Sequence, residues 1–392
     1  MARQKFHTKH QVHLDTASNE TASRVPNPMK ISATYAKPWY KTRRGIIGII
    51  SATVILLGGG VGAWYVLAQK KPTDITTSQP TASPSPEPTP ILKEAPLTGT
   101  LIDPALITRP VIGVVIENLD PNARPQSGLS QAGVVYEALA EGGITRYVAF
   151  YQTDLPTDIG PVRSLRPVFY QMGMEYGAPV AHVGGSTDGL ALARSGSGFK
   201  DLDQFFNANY FRRINTRYAP HNVYIYGESL TKLVADKGWA TPPTFTPWKR
   251  KDDAPSNQAN ATKIVADFSS PGYIATFQYD SSSNSYVRSI GGVPDLDAAN
   301  SKKQINPKTV IIIYAQTSYG TQPNGKPKTD IDLIGTGKAV LFQDGTATEC
   351  RWQKTSDAGR LTLLDTSGQE LSLNRGQSWV SILPTGRAAS WQ

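Results

Sequence analysis

Apolar residues follow three different rhythms along this chain. Gly45 to Ala68 is a run of 24 positions without a charged residue, long enough to cross a bilayer as a helix. Between 96 and 241, short β-branched runs alternate with helical spacing. Strands are predicted at Val111–Glu117, Val134–Glu141 and Ile144–Gln152, with a short one from Pro179. Helices are predicted from Ser164 to about Tyr176, from Asp188 to Ser195 and from Glu228 to Lys237. From Lys263 onward the pattern becomes short strands: Lys263–Asp267, Ile274–Tyr279, Tyr286–Ser289, Thr309–Gln316, Ile331–Leu333, Lys338–Gln343, Thr348–Gln353, Leu361–Leu364, Glu370–Leu373 and Trp379–Leu383. Asp344-Gly345 marks a tight hairpin among them. The Pro-rich, charged stretch 242–260 reads as an interdomain linker. These rhythms predict an α/β (mixed) N-terminal ectodomain over 96–241 and an all-β C-terminal domain over 261–392, a sandwich or small barrel, behind one transmembrane helix.

What precedes the folded part sets its address. Residues 1–44 are polar, basic and without hydrophobic periodicity, and read as a disordered tail. Lys41, Arg43 and Arg44 outweigh Lys70 and Lys71 across the apolar run, so the N-terminus is expected in the cytoplasm and the rest outside it. Trp64 and Tyr65 suit an outer membrane interface. Residues 69–95 form a Pro/Ser/Thr-rich linker, semi-rigid at about 3.1 Å per residue, with roughly 70 Å of reach.

The formal net charge of +9 changes little in this picture. Residues 1–71 hold eleven basic residues against Asp15 and Glu20, and the remainder balances at 29 of each sign. The basicity therefore reports membrane topology, and no basic face with interleaved aromatics points to nucleic acid. The single cysteine, Cys350, excludes an internal disulfide and cysteine-cluster metal sites.

The chemistry-bearing residues gather in 109–224. Gly142-Gly143 between two strands predicts a hairpin in which Glu141 faces Ile144, Leu139 faces Arg146 and Glu137 faces Val148. Glu137 and Glu141 would then share a face with Arg146 between them, either as a salt bridge fixing register or as working acid/base groups. Ser164 is read as an N-cap flanked by Arg163 and Arg166, a ready anion site unless the arginines pair with Glu117, Glu137 or Glu141. His182 precedes Gly184-Gly185-Ser186, a strand–glycine–helix turn that can present backbone N–H groups to an anion. It is not a nucleophile elbow, because Asp188 stands where the second glycine belongs. His221 and Asn222 follow Pro220 at another strand start. Glu137, Glu141, His182 and His221 are thus the candidate acid/base groups. Arg124, Arg146, Arg163, Ser164, Arg166, Gly184, Gly185, Ser186 and Asn222 are the candidate ligand contacts. Two histidines without an HExxH-like spacing do not argue for a metal, and no cofactor is expected.

IENLDPNARPQSGLSQAGVVYEALAEGGITR at 116–146, IGPVRSLRP at 159–167, HVGGS at 182–186 and APHNVY at 219–224 resemble the YerB-like bacterial envelope proteins. So do YVRSIGGVPDLD at 286–297, GTGKAVLFQDG at 335–345 and GQSWVSILP at 376–384. The resemblance implies paired N- and C-terminal domains, an extracytoplasmic address and a link to cell-wall machinery, with no assigned reaction. Members are commonly lipoproteins with a lipid-modified cysteine. This chain has none near its membrane segment, where the Ile46–Leu67 helix would anchor it instead. Two functions fit. One is an envelope protein that binds a wall polymer, a lipid-linked precursor or a wall-synthesis protein. The other is an envelope enzyme acting on a phosphorylated or glycan substrate through an Arg/Glu/His cleft.

Overall fold

The computed structural model describes residues 91–392. The tail, the apolar segment and most of the 69–95 linker lie outside the described residues. Among the described residues no helix is long and apolar enough to cross a membrane.

The described chain is mostly β with few helices. Ten strands build its main sheet: β1 (Ile112–Glu117), β2 (Val134–Glu141), β3 (Ile144–Tyr151), β4 (Pro179–His182), β5 (Lys200–Asp203), β6 (Thr309–Ala315), β7 (Gly335–Gln343), β8 (Thr346–Lys354), β9 (Thr362–Leu364) and β10 (Ser378–Pro384). Their spatial order is β9-β8-β7-β6-β10-β2-β3-β1-β4-β5. Every residue of β1 and β10 is buried, as fits strands covered on both faces. Helix α1 (Pro167–Tyr176) precedes β4, α2 (Thr187–Ala193) follows it, and α3 (Gly227–Asp236) follows the short strand Val223–Tyr226.

The expected division at 242–260 meets a sheet that runs past it. β10 pairs in parallel with β2 from Ser378↔Val134 to Ser381↔Glu137. Within 242–260, Arg250–Lys251 pairs with Leu373–Asn374, and buried Trp248 donates its indole N–H to the Leu361 carbonyl at 2.6 Å. The all-β character after 261 is observed, but the strands form no sandwich or barrel of their own. Five join β1–β5. Lys263–Asp267, Ile274–Asp280, Ser285–Ile290, Val293–Pro294 and Ala389–Trp391 make a five-stranded antiparallel sheet that packs on one face of the main sheet through Ile264, Phe268, Phe277 and Tyr286. On the other face α1 packs through Val168, Phe169, Met172 and Tyr176. Two predicted strands move: Ile331–Leu333 is replaced by Pro327–Ile331, and Glu370–Leu373 by Leu373–Asn374.

Strand direction positions the candidate residues. β1 is parallel to β4, β4 to β5, β6 to β10 and β10 to β2, while β3 is antiparallel to both β1 and β2. The C-terminal ends of β1, β2, β4 and β5, at Glu117, Glu141, His182 and Asp203, therefore lie along one edge of the sheet. Open sheets with helices on a face place their ligand crevices at that edge.

Candidate functional site

The β2–β3 hairpin turns on Gly142 (φ +60°) and Gly143 (φ +76°), both in the left-handed region a two-residue turn requires. Its register corrects the expected one. Glu141 does face Ile144, but an irregularity between Leu139 and Glu141 shifts the rest by one, so Leu139 faces Thr145 and Glu137 faces Tyr147. Because strand faces alternate, that slip separates the two glutamates. Glu141 joins Arg146, and Glu137 turns to the opposite face beside Thr145.

Glu141 sits between two guanidiniums. Arg146 donates to its Oε1 at 2.9 Å, and Arg166 donates to its Oε2 through Nε at 2.9 Å and NH2 at 2.6 Å. Burial pushes the Glu141 pKa up, but Arg146 and Arg166 outweigh burial and hold it below the ordinary carboxylate value. Burial, then the like charge of Arg146, brings the Arg166 guanidinium down to about 10. Ser164 does not cap the helix: Arg166 occupies that position without a side-chain cap, and the Ser164 carbonyl accepts from Arg146 at 2.8 Å. The expected anion site is thus filled by the protein's own carboxylate.

A second cluster forms around Glu117, one of the carboxylates expected as an alternative partner for the arginines. Its Oε1 accepts from Arg163 at 2.8 Å and its Oε2 faces His221 Nδ1 at 2.9 Å. Neighbouring Asn118 accepts from Arg124 and donates to Thr145 Oγ1 at 2.6 Å; Thr145 donates to Glu137 Oε1 at 2.9 Å. Glu137 ends this buried chain on Arg288, at 2.7 Å, and Arg288 also meets Asp295. Asn222 accepts from Arg213 and donates to the Ile214 carbonyl.

The third cluster surrounds the β4 turn. His182 is fully buried, with Nδ1 2.8 Å from the Gly184 carbonyl and Nε2 2.8 Å from Asp201. Asp203 accepts from the Gly184 N–H and from Arg194, and the Gly185 backbone bridges Leu165. Ser186 caps α2 by accepting from the Gly189 N–H at 3.2 Å. His182, Asp201 and Asp203 bring ligand-type atoms within 4.8 Å, but each of the three is engaged in hydrogen bonds of the fold. Burial raises the Asp201 pKa, while the bond and charge of His182 prevail and lower it.

The lowered values of Glu141 and Asp201 carry a pH dependence. At these two groups the unfolded chain binds more protons than the folded one in this window, so their contribution to stability rises with pH there. The contribution is full above the ordinary carboxylate values and is lost as pH falls through the folded ones. The melting temperature of residues 91–392 is expected to hold from pH 7 to about pH 5 and to fall below it. Glu141→Gln, measured alongside, should lower stability at neutral pH and flatten the fall.

All thirteen candidate residues are thereby placed. Asn118, Thr145, Arg288 and Asp295 are the functional-looking residues that were missed, and Glu117 was foreseen only as an arginine partner, without His221. A mixed sheet with a charge-paired carboxyl edge, shared by two sequence halves, defines the class of protein. Both halves match family models described as "Protein of unknown function (DUF3048)", the N-terminal domain over residues 97–240 and the C-terminal domain over 264–380. The chain is 32% identical over 301 residues to "Putative lipoprotein YerB" of Bacillus subtilis (strain 168), covering 76% of this chain and 88% of that relative. The crystal structure of YerB protein from Bacillus subtilis matches with a TM-score of 0.67 at 29% identity, covering 76% of this chain and 99% of that one. The chain belongs to this YerB-like family of proteins of unknown function.

Proposed function

We propose that the chain is a membrane-anchored, extracytoplasmic accessory protein that binds wall-synthesis machinery or a wall polymer through its carboxyl-edge loops. One observation carries this reading: the edge spends its charges internally and holds out aromatic side chains. Phe205 and Phe206 are each 70% exposed and Tyr218 is 90% exposed. The Phe205-Phe206 turn is pinned from below, with Phe205 N–H on Asp203 Oδ1, Phe206 N–H on the Asp203 carbonyl and Gln204 N–H on the His182 carbonyl. Arg194 packs over Phe206 at 5.0 Å. The Tyr218 loop is held by Arg217, which donates to the Pro125 carbonyl at 2.6 Å. Rigid, exposed aromatics suit a protein partner, whose hot spots gather on such anchors. The putative lipoprotein name of the relative and the apolar segment at 45–68 both support a membrane address.

The test is crosslinking of the full chain in cells. Phe205→Ala with Phe206→Ala should cut capture of the partner by about 100-fold while leaving the melting temperature within a degree or so. Unchanged capture by a folded double variant would overturn the reading.

A second reading is an envelope enzyme, favoured by the Glu117–His221 pair. Among the described residues His221 Nε2 makes no hydrogen bond, and it is not sealed from solvent. A carboxylate-oriented imidazole of this kind can serve as general base. Turnover of a phosphorylated or glycan substrate that His221→Ala abolishes would establish it.

A further inference from the structure

A groove of about 680 Å³ lies several strands away from these loops, between the C-terminal strand Ala389–Trp391 and one face of β7 and β8. Its chemistry is lopsided. Lys338 and Val340 share a face of β7, and Glu349 on β8 is opposite Val340, so Lys338 and Glu349 are diagonal neighbours on one surface. Neither forms an ion pair among the described residues. The Tyr314 hydroxyl accepts from the Ala389 N–H at 3.2 Å, which leaves its own proton to donate. Trp391 packs edge-on against Phe342, with centroids 5.4 Å apart, and its indole N–H has no partner among the described residues. Arg387 uses one nitrogen on Asp267 at 3.2 Å and keeps the rest of its fork. Four donors, two of them cationic and two on aromatic rings, thus face one carboxylate acceptor.

We propose that this groove binds an acidic saccharide. Aromatic rings offer flat apolar area to the C–H face of a sugar, and their polar tips reach its hydroxyls. Lys338 and Arg387 would hold the sugar carboxylate, and Glu349 would accept from a hydroxyl at the other end. A neutral sugar leaves Lys338 without an acidic partner and the free arm of the Arg387 fork unused. The volume falls in the range of small-ligand sites, about 300–1,000 Å³.

The test is titration calorimetry on the detergent-solubilised full-length chain. The probes are cellobiouronic acid, cellobiose as its neutral counterpart, and triglutamate as an acidic peptide. The acidic disaccharide should bind with a Kd of about 1 mM or tighter, and cellobiose about tenfold more weakly. Lys338→Met, an exposed change, should lose about tenfold, and Tyr314→Phe about threefold. The Phe205→Ala, Phe206→Ala double variant should bind the sugar unchanged, which separates this site from the carboxyl edge. The proposal is overturned by equal binding of the two disaccharides, by tighter binding of triglutamate, by unaltered affinity in a folded Lys338→Met chain, or by no heat with cellobiouronic acid.

Discussion

Replacing Arg288 by Met should cost about 3–5 kcal/mol, a large part of the roughly 5–15 kcal/mol that holds a domain folded. Arg288, Glu137 and Asp295 are all buried, with Arg288 and Glu137 fully enclosed. The guanidinium is 4.4 Å from the Trp379 ring centroid and within 6 Å of those of Tyr147 and Phe277. Removing it strands two carboxylates in an apolar setting. Glu137 would keep neutral donors, Thr145 at 2.9 Å and the Trp379 indole at 3.2 Å, but Asp295 would keep no side-chain cation. Arg288→Lys should fall between, since an ammonium holds the charge but loses the planar stack and the fork. Removing all three charges together, as Arg288→Met, Glu137→Gln and Asp295→Asn, should recover much of the loss. Urea unfolding of residues 91–392 compares these three variants with the parent chain. A loss under about 1 kcal/mol for Arg288→Met would show that water reaches the site and the charges are solvated.

The same triad shows where the sequence was legible and where it was not. The Gly-Gly hairpin, the strand runs and the helix near 167–176 rest on local signals, and these were readable. Register inside the hairpin was not, because a single irregular residue near Ala140 leaves no mark in composition yet moves Glu137 to the opposite face. Arg288 did leave a signal. Tyr286, Arg288 and Ile290 alternate on one face of their strand, and a charged residue in that rhythm points to a buried partner. The partner itself lies 151 positions away, and no local pattern reaches that far. His221 and Glu117, 104 positions apart, were separated for the same reason. The carboxyl edge could be assembled only after strand order was known, since β10 enters the sheet beside β2 from the far end of the chain.

A second staple between the sequence halves should be nearly as costly to break. Lys354 on β8 is 1% exposed and its ammonium is 3.2 Å from Glu175 on α1. It also donates to the Asp357 carbonyl at 3.0 Å and to the Gly359 carbonyl. Glu175 accepts from the Leu361 N–H at 3.0 Å and from the Tyr136 hydroxyl at 3.3 Å. Burial, then the Glu175 charge, pushes the Tyr136 hydroxyl well above its ordinary value, so at neutral pH it stays a neutral donor to that carboxylate. Lys354→Met leaves Glu175 buried without a cation and should lose about 3–5 kcal/mol. Glu175→Gln alone keeps an acceptor for Leu361 and Tyr136 but leaves the ammonium with carbonyls only, at about 2–3 kcal/mol. Made together, the two changes remove both charges, and the combined loss should be smaller than that of Lys354→Met alone. The double-mutant cycle should therefore show about 2 kcal/mol or more of coupling, read from urea midpoints with unchanged slopes. Additive losses would mean that Lys354 is held by its carbonyl ring rather than by Glu175, and that α1 is clamped to β8 by hydrophobic packing alone.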